Sequence, residues 1–230
     1  MDSMIYIYAM TACLATILGG LLPLYTRIGK IEMRYMLGFA SGVMIATAFF
    51  EMLPETGSSL MLGLGFFSIY FIEKLVMIHS CPEPECDYHS IGWIAILGIG
   101  IESLIDGVAI AVGYTITPAL GLAIALAVIA HELPRGFSTT MIMKNAGYGT
   151  DKTLLALGID SFLTPIGAIL AVFLLPSAYV LESVIAFAAG TFIYIGASDL
   201  LPEAHVKFNI KVVLSVLLGG AIVPLLALLI

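Results

Sequence analysis

Apolar residues fill the chain in long runs, and charged residues cluster in the short gaps between them. A helix that spans the hydrocarbon core of a bilayer takes roughly 20 apolar residues. Eight runs meet that length, at about residues 4–24, 35–54, 60–78, 91–114, 118–142, 153–175, 179–200 and 212–230. The pattern predicts an all-α integral membrane protein with eight transmembrane helices, organised as one domain over residues 1–230. Residues 79–90 form a polar loop containing Cys and His, and no connection is long enough to hold a second domain.

Composition agrees with that reading and narrows it. Hydrophobic residues make up 60% of the chain and charged residues 11%, against about 25% charged in an ordinary soluble domain. The 23 glycines suit membrane helices, whose backbones approach closely where side chains are small. The net charge of −7 argues against a nucleic-acid partner, and several of the carboxylates lie inside apolar runs. The opening Met-Asp-Ser carries no basic stretch of the kind that begins a secretory signal, so the first run is expected to be a retained helix.

The basic residues orient the helices. Arg27, Lys30 and Arg34 lie between the first two runs, Lys74 near the end of the third, Lys144 and Lys152 between the fifth and sixth, and Lys207 and Lys211 between the last two. Every basic residue except Arg135 therefore falls on one side, which the positive-inside rule makes cytoplasmic. Both termini are then expected outside.

Two internal similarities suggest an inverted repeat, a common transporter design with the binding site at the repeat interface. The second run ends Glu51-Met52-Leu53-Pro54-Glu55 and the seventh ends Asp199-Leu200-Leu201-Pro202-Glu203. Likewise Glu102-Ser103-Leu104-Ile105-Asp106-Gly107 in the fourth run parallels His131-Glu132-Leu133-Pro134-Arg135-Gly136 in the fifth. The members of each pair run in opposite directions.

The candidate chemistry sits in the middle of these runs. An ionisable side chain at the bilayer centre costs about 2.5–3.5 kcal/mol on insertion scales, so such residues are functional candidates by default. Glu102 and Asp106 share one helix face with Ser103 beside them, and His131 and Arg135 share another with Glu132 adjacent. Carboxylates with imidazole suit zinc, iron, manganese and similar divalent ions. Pro134 releases the carbonyl of Ala130, which is tolerable only against protein or a water-filled cavity. Asp160, Ser161, Thr164 and Pro165 form a similar polar patch in the sixth run. The alternative is a set of buried ion pairs with Arg135 that only lock helices together.

Three further groups lie nearer the ends. Glu51 and Glu55 are candidates for an outer entrance, or plain solvated acids. Asp199, Glu203 and His205 stand at the inner end of the seventh run. His79, Cys81, Cys86 and His89 offer the ligand types of a tetrahedral zinc site, in a loop expected in the reducing cytoplasm; a flexible polar linker is the other reading.

These motifs together resemble the ZIP family of metal transporters, over the whole chain. The family's fourth helix reads His-Asn-x-x-Glu-Gly, where this chain has Glu102-Ser103-Leu104-Ile105-Asp106-Gly107. Its fifth helix has His, a polar residue, x, Pro and then Glu; this chain matches at His131-Glu132-Leu133-Pro134 and has Arg135 in place of that Glu. Thr164-Pro165-Ile166-Gly167 stands where the family often has Glu before Pro-x-Gly. The resemblance implies eight helices in a 3+2+3 arrangement, a metal site shared by helices four and five, an exit past Asp199, Glu203 and His205, a loop that receives or senses metal, and, by analogy, a homodimer.

The expected function is import of a divalent ion into the cytoplasm, zinc above iron, manganese or cadmium, with Glu102, Asp106, His131 and Glu132 as ligands and Ser103, Arg135, Asp160 and Thr164 lining the site. The expected location is the plasma membrane. Glu102, Asp106 and Glu132 sum to −3 and Arg135 brings the set to −2, so one dication neutralises it and a single-metal site is expected. The metal is substrate; no organic cofactor is expected, and no Walker A loop is present for ATP hydrolysis. Arg135 among the ligands also leaves open a transport-inactive metal-sensing or structural membrane protein, and a metal-bound water at His131 an intramembrane hydrolase.

Overall fold

The computed structural model describes residues 3–25, 30–79, 88–174 and 178–228. Among these the chain is all-helical. Helix α1 covers Ser3–Tyr25. Helix α2, Lys30–Ala46, continues through a π-helical stretch, Thr47–Met52, into a 3₁₀ turn, Leu53–Glu55. Helices α3 to α6 cover Ser59–His79, Tyr88–Ile116, Pro118–Asn145 and Thr150–Leu174. Helix α7, Ala178–Tyr194, continues through a second π stretch, Ile195–Leu200, into the short α turn Leu201–Ala204, and α8 covers Ile210–Ala227. Six of the described helices are long and apolar enough to cross a membrane: Ser3–Tyr25, Met33–Glu55, Ala95–Ile116, Pro118–Asn145, Thr150–Phe173 and Val180–Ala204. Ile210–Leu225 is a shorter apolar helix.

Several helices outrun their apolar windows. The fourth begins at Tyr88, the fifth reaches Asn145 and the seventh carries its helical backbone through Glu203. Hydropathy reports the width of the apolar band, whereas a helix ends where its backbone groups find other partners. Helix α5 illustrates both ends. The Thr117 side chain accepts from the Leu120 N–H at 3.1 Å, and Pro118 at the first turn has no N–H to satisfy. At the far end Gly147 adopts φ 79°, and the Tyr148 N–H reaches the Met143 carbonyl while the Gly147 N–H reaches that of Lys144, each at 3.0 Å. This left-handed closure is the geometry in which glycine carries no steric cost.

The two Leu-Pro-Glu motifs share one local structure. Each directly follows a six-residue π stretch, in which the N–H of the leucine reaches five residues back, Leu53 to Ala48 and Leu201 to Gly196. A proline cannot donate and crowds the carbonyl four residues earlier, and a π bulge accommodates that mismatch without ending the helix.

Glycine decides which helices are neighbours. A Cβ on Gly107 of α4 would lie 1.9 Å from the Thr164 carbonyl oxygen of α6, and one on Gly167 of α6 would lie 2.1 Å from that of Leu104 in α4. The same reciprocal approach joins α1 to α5 (Gly19 on Leu133, Gly136 on Thr16), α2 to α8 (Gly42 on Val216, Gly219 on Phe39) and α3 to α7 (Gly65 on Phe187, Gly190 on Leu62). Helices α1, α4, α5 and α6 thereby pack as one bundle and α2, α3, α7 and α8 as another. Lipid tails are as apolar as leucine, so close backbone packing rather than hydrophobic burial drives such pairing. Large apolar side chains such as Leu18, Phe67, Phe71, Leu97, Phe173 and Leu218 accordingly remain on the outside.

Helices α2 and α7 run antiparallel. Ser41 Oγ donates to the Gly196 carbonyl at 2.9 Å, while nearer the start of α2 the Arg34 Nε donates to the Ala204 carbonyl at 2.7 Å and Arg34 Nη2 to that of Lys207. Arg34 thus satisfies carbonyls at the end of the α7 turn, where a cation is favoured.

Candidate metal centre

The site is built inside the α1–α4–α5–α6 bundle, at the close approaches created by Gly107, Gly136 and Gly167. Helix α5 continues through Pro134, and Ala130, whose carbonyl the proline deprives of its ordinary donor, lines a cavity of about 260 Å³ with Glu51, Phe39, Val43, Leu126 and Ile222. The next two residues, His131 and Glu132, are buried.

Glu102, Asp106 and His131 each bring one ligand atom to a cluster whose members all lie within 4.8 Å of one another. Asp106 and His131 are 1% exposed, whereas the Glu102 side chain is 19% exposed. His131 Nδ1 lies 3.0 Å from the Ala127 carbonyl oxygen. That oxygen only accepts, so Nδ1 carries a proton and Nε2 is the ring nitrogen turned to the site. Nε2 stands 3.2 Å from Asp106 Oδ2. An imidazole nitrogen and two carboxylates converging at this spacing are a ligand set for a borderline divalent ion.

Arg135 occupies the same space. Its Nη1 and Nη2 donate to Asp106 Oδ2 at 2.7 and 2.8 Å, Nη1 also reaches His131 Nε2 at 3.2 Å and Glu132 Oε1 at 3.3 Å, and it stands 3.6 Å from Glu102 Oε1. Two buried polar atoms are left without a partner here, Asp106 Oδ1 and Arg135 Nε. The guanidinium therefore offsets part of the charge of the cluster without satisfying it, in a region where an unpaired buried group is costly.

The remaining predicted residues form the surround. Glu132 accepts from the hydroxyls of Thr16 in α1 and Thr164 in α6, the latter at 3.2 Å, in addition to Arg135. Ser103 Oγ donates to Asp160 Oδ1 at 2.6 Å, and Thr139 Oγ1 donates to Asp160 Oδ2 at 2.8 Å. Both oxygens of each acid are thus engaged, which separates Glu132 and Asp160 from the three converging ligands. Thr16 and Thr139 are contributors that the sequence reading did not single out. Hydroxyls on apolar helices were their only signal, and such hydroxyls often bond their own helix, as Thr11 does to the Ile7 carbonyl at 2.7 Å.

The end groups lie apart from this cluster. Glu51 is half-buried in the π stretch of α2 and Glu55 is exposed at its tip. At the opposite end of the antiparallel α7, Asp199 lines a recess of about 430 Å³ with Tyr70, Glu73, Lys74, Tyr194 and Ser198. There the Tyr194 hydroxyl donates to Glu73, an acid absent from the sequence reading although it sits in an apolar run. Glu203 lines a separate recess of about 460 Å³ with Met33, Leu37, Phe137, Ser138 and Asn145, and His205 Nδ1 bonds the Leu201 carbonyl at 3.1 Å. Of the loop quartet, Cys81 and Cys86 lie outside the described residues, and His79 and His89 are described by backbone alone, at the end of α3 and the start of α4.

Comparison with known proteins gives a consistent result. The sequence profile described as "ZIP Zinc transporter" matches residues 79–227. The zinc transporter foi of Drosophila melanogaster is 32% identical over 126 residues, which are 55% of this chain and 17% of that protein. The metal cation symporter ZIP8 of Rattus norvegicus is 28% identical over 123 residues, 54% of this chain and 26% of the relative. The zinc transporter ZIP6 of Homo sapiens is 28% identical over 118 residues, 50% of this chain and 15% of the relative. The chain matches only about a sixth to a quarter of the length of these relatives.

Proposed function

The chain belongs to the ZIP family and is a multi-pass integral membrane protein, and from that premise we propose that it carries a divalent metal ion, zinc in the first place, across the membrane into the cytoplasm. The observation that carries the proposal is the convergence of Glu102, Asp106 and His131 within 4.8 Å inside the bundle. Three converging ligand groups, Asp106 and His131 buried and Glu102 partly exposed, with an oxygen of Asp106 left unpartnered, suit a cation that enters, binds and leaves.

In this reading eight helices cross the membrane with both termini outside, in a 3+2+3 inverted repeat. Paired positions support the repeat. Thr16 and Thr164, Gly19 and Gly167, Gly42 and Gly190, Glu51 and Asp199, and Leu53 and Leu201 all stand at one constant separation along the chain. The reciprocal glycine contacts and the two π stretches fall on these same pairs. Helices α4 and α5 are then each other's counterparts, and the ion sits between them. The α1–α4–α5–α6 bundle moves against the other, admitting ions past Glu51 and Glu55 and releasing them past Asp199, Glu203 and His205. The loop with His79, Cys81, Cys86 and His89 receives the metal on the cytoplasmic side. The plasma membrane and a homodimer complete the proposal.

Arg135 makes this a single-metal site, because its fixed charge stands in for a second ion. The same residue favours a second reading. A guanidinium bonded to Asp106 and His131 competes with any metal, as a transport-inactive sensor would allow. Uptake of zinc into proteoliposomes separates the two. Transport predicts uptake that His131→Ala abolishes; saturable zinc binding without flux in the wild-type chain would refute transport in favour of sensing.

A further inference from the structure

We propose that Asp160 is the counter-ion to which the Arg135 guanidinium withdraws when a dication takes up Glu102, Asp106 and His131. The inference rests on the cation-binding reading of that site. Arg135 Nη1 lies 2.7 Å from Asp106 Oδ2 and 3.2 Å from His131 Nε2, so it uses the lone pairs that a metal ion requires. The two occupants exclude each other. Arginine keeps its proton throughout the accessible pH range, so it yields the ligands by moving rather than by losing charge.

The surroundings hold one carboxylate that the guanidinium does not yet touch, Asp160. Glu102, Asp106 and His131 are taken by the ion. Glu132, which accepts from Thr16 and Thr164, is already a partner of Arg135 Nη1 at 3.3 Å and so offers no new charge. On the remaining side Arg135 Nη2 donates to Ser103 Oγ at 3.2 Å, and that hydroxyl donates to Asp160 Oδ1 at 2.6 Å. Asp160 therefore stands one hydroxyl away from the guanidinium.

Two features mark Asp160 as a seat for a cation. It is 0% exposed, and the hydrogen bonds to its oxygens come from the neutral hydroxyls of Ser103 and Thr139. Both oxygens accept, the pattern of an ionised carboxylate, and a buried carboxylate held by hydroxyl dipoles gains strongly from a nearby full charge. On the other partner, Arg135 Nε is buried with no acceptor, so the guanidinium is incompletely bonded where it stands.

Ser103 is the pivot. Its Oγ also lies 3.2 Å from the Ile99 carbonyl oxygen, an alternative acceptor to which the hydroxyl turns when the guanidinium replaces it on Asp160. Asp160 is thus a positioning residue: it acts on the metal through Arg135 and not as a ligand. The exchange gives Arg135 a buried carboxylate partner in both states, Asp106 when the site is empty and Asp160 when it is loaded.

The test is a zinc-binding titration of the detergent-purified full chain in four forms: wild type, Asp160→Asn, Arg135→Gln and the double variant. Asparagine keeps the volume and one acceptor but removes the charge. The expected result is a zinc affinity about tenfold or more weaker in Asp160→Asn, with no comparable loss when the change is made in the Arg135→Gln background, the signature of coupling between the two residues. Asp160→Glu should restore most of the affinity. An equal loss in both backgrounds, or none in the first, overturns the proposal. A measurement on the wild type covers the case of a variant that does not fold: infrared difference spectra with isotope-labelled arginine should shift on zinc addition, and an unmoved arginine band at saturating zinc also overturns it. Absence of zinc binding by the wild type would instead refute the cation-binding reading.

Discussion

Replacing Arg135 by glutamate should convert a site for one dication into a site for two. The substitution changes the buried charge by two negative units, the charge of one divalent ion, whatever Asp160 contributes. At a separation of about 6 Å and an effective dielectric of about 20, the guanidinium opposes a second dication by roughly 5 kcal/mol, equivalent to about three to four decades in affinity. The glutamate removes that opposition and supplies two further oxygen acceptors beside Asp106 and His131, which the present Nη1 contacts at 2.7 and 3.2 Å place within ligand range of a common centre. Zinc stoichiometry by elemental analysis of the purified chain, supported by calorimetric titration, reads the outcome directly. One zinc per protomer is expected for the wild type and two for Arg135→Glu. A variant that still binds one ion, or a wild type that binds two, would refute the argument that Arg135 occupies the place of an ion.

Two further expectations concern the bundle that holds the site. Gly107→Leu places a side chain 1.9 Å from the Thr164 carbonyl oxygen, so α4 and α6 must separate, at a cost of about 1–3 kcal/mol or more. Gly158→Ala meets nothing within 4 Å and should leave the melting temperature in detergent unchanged or raise it slightly; equal tolerance of both changes would contradict the glycine-packing account. Thr16→Val removes a hydroxyl that donates to buried Glu132 and should destabilise the chain by about 1.5–3 kcal/mol, the range for a hydrogen bond to a charged group, seen as a lower thermal midpoint. An unchanged midpoint would mean that α1 contributes nothing to holding that carboxylate.

Most of the fold class, and the identity of the central residues, was legible in the linear chain. Apolar runs of bilayer length mark membrane helices because an unsatisfied backbone is intolerable in hydrocarbon, and charges inside those runs mark a site because lipid penalises them. Glu102, Asp106, His131 and Glu132 emerged on that ground, and the structure brings the first three together; the pairing of the two Leu-Pro-Glu motifs came from their recurrence in the sequence. Only the tertiary structure decided which helices are neighbours, that Arg135 lies on Asp106 and His131, and that Thr16, Thr139 and Thr164 hold the outer carboxylates. Every apolar run looks alike to lipid, so neighbours are selected by how a stripe of small residues on one helix fits the backbone of another. That property belongs to pairs of surfaces, and no single run of sequence contains it.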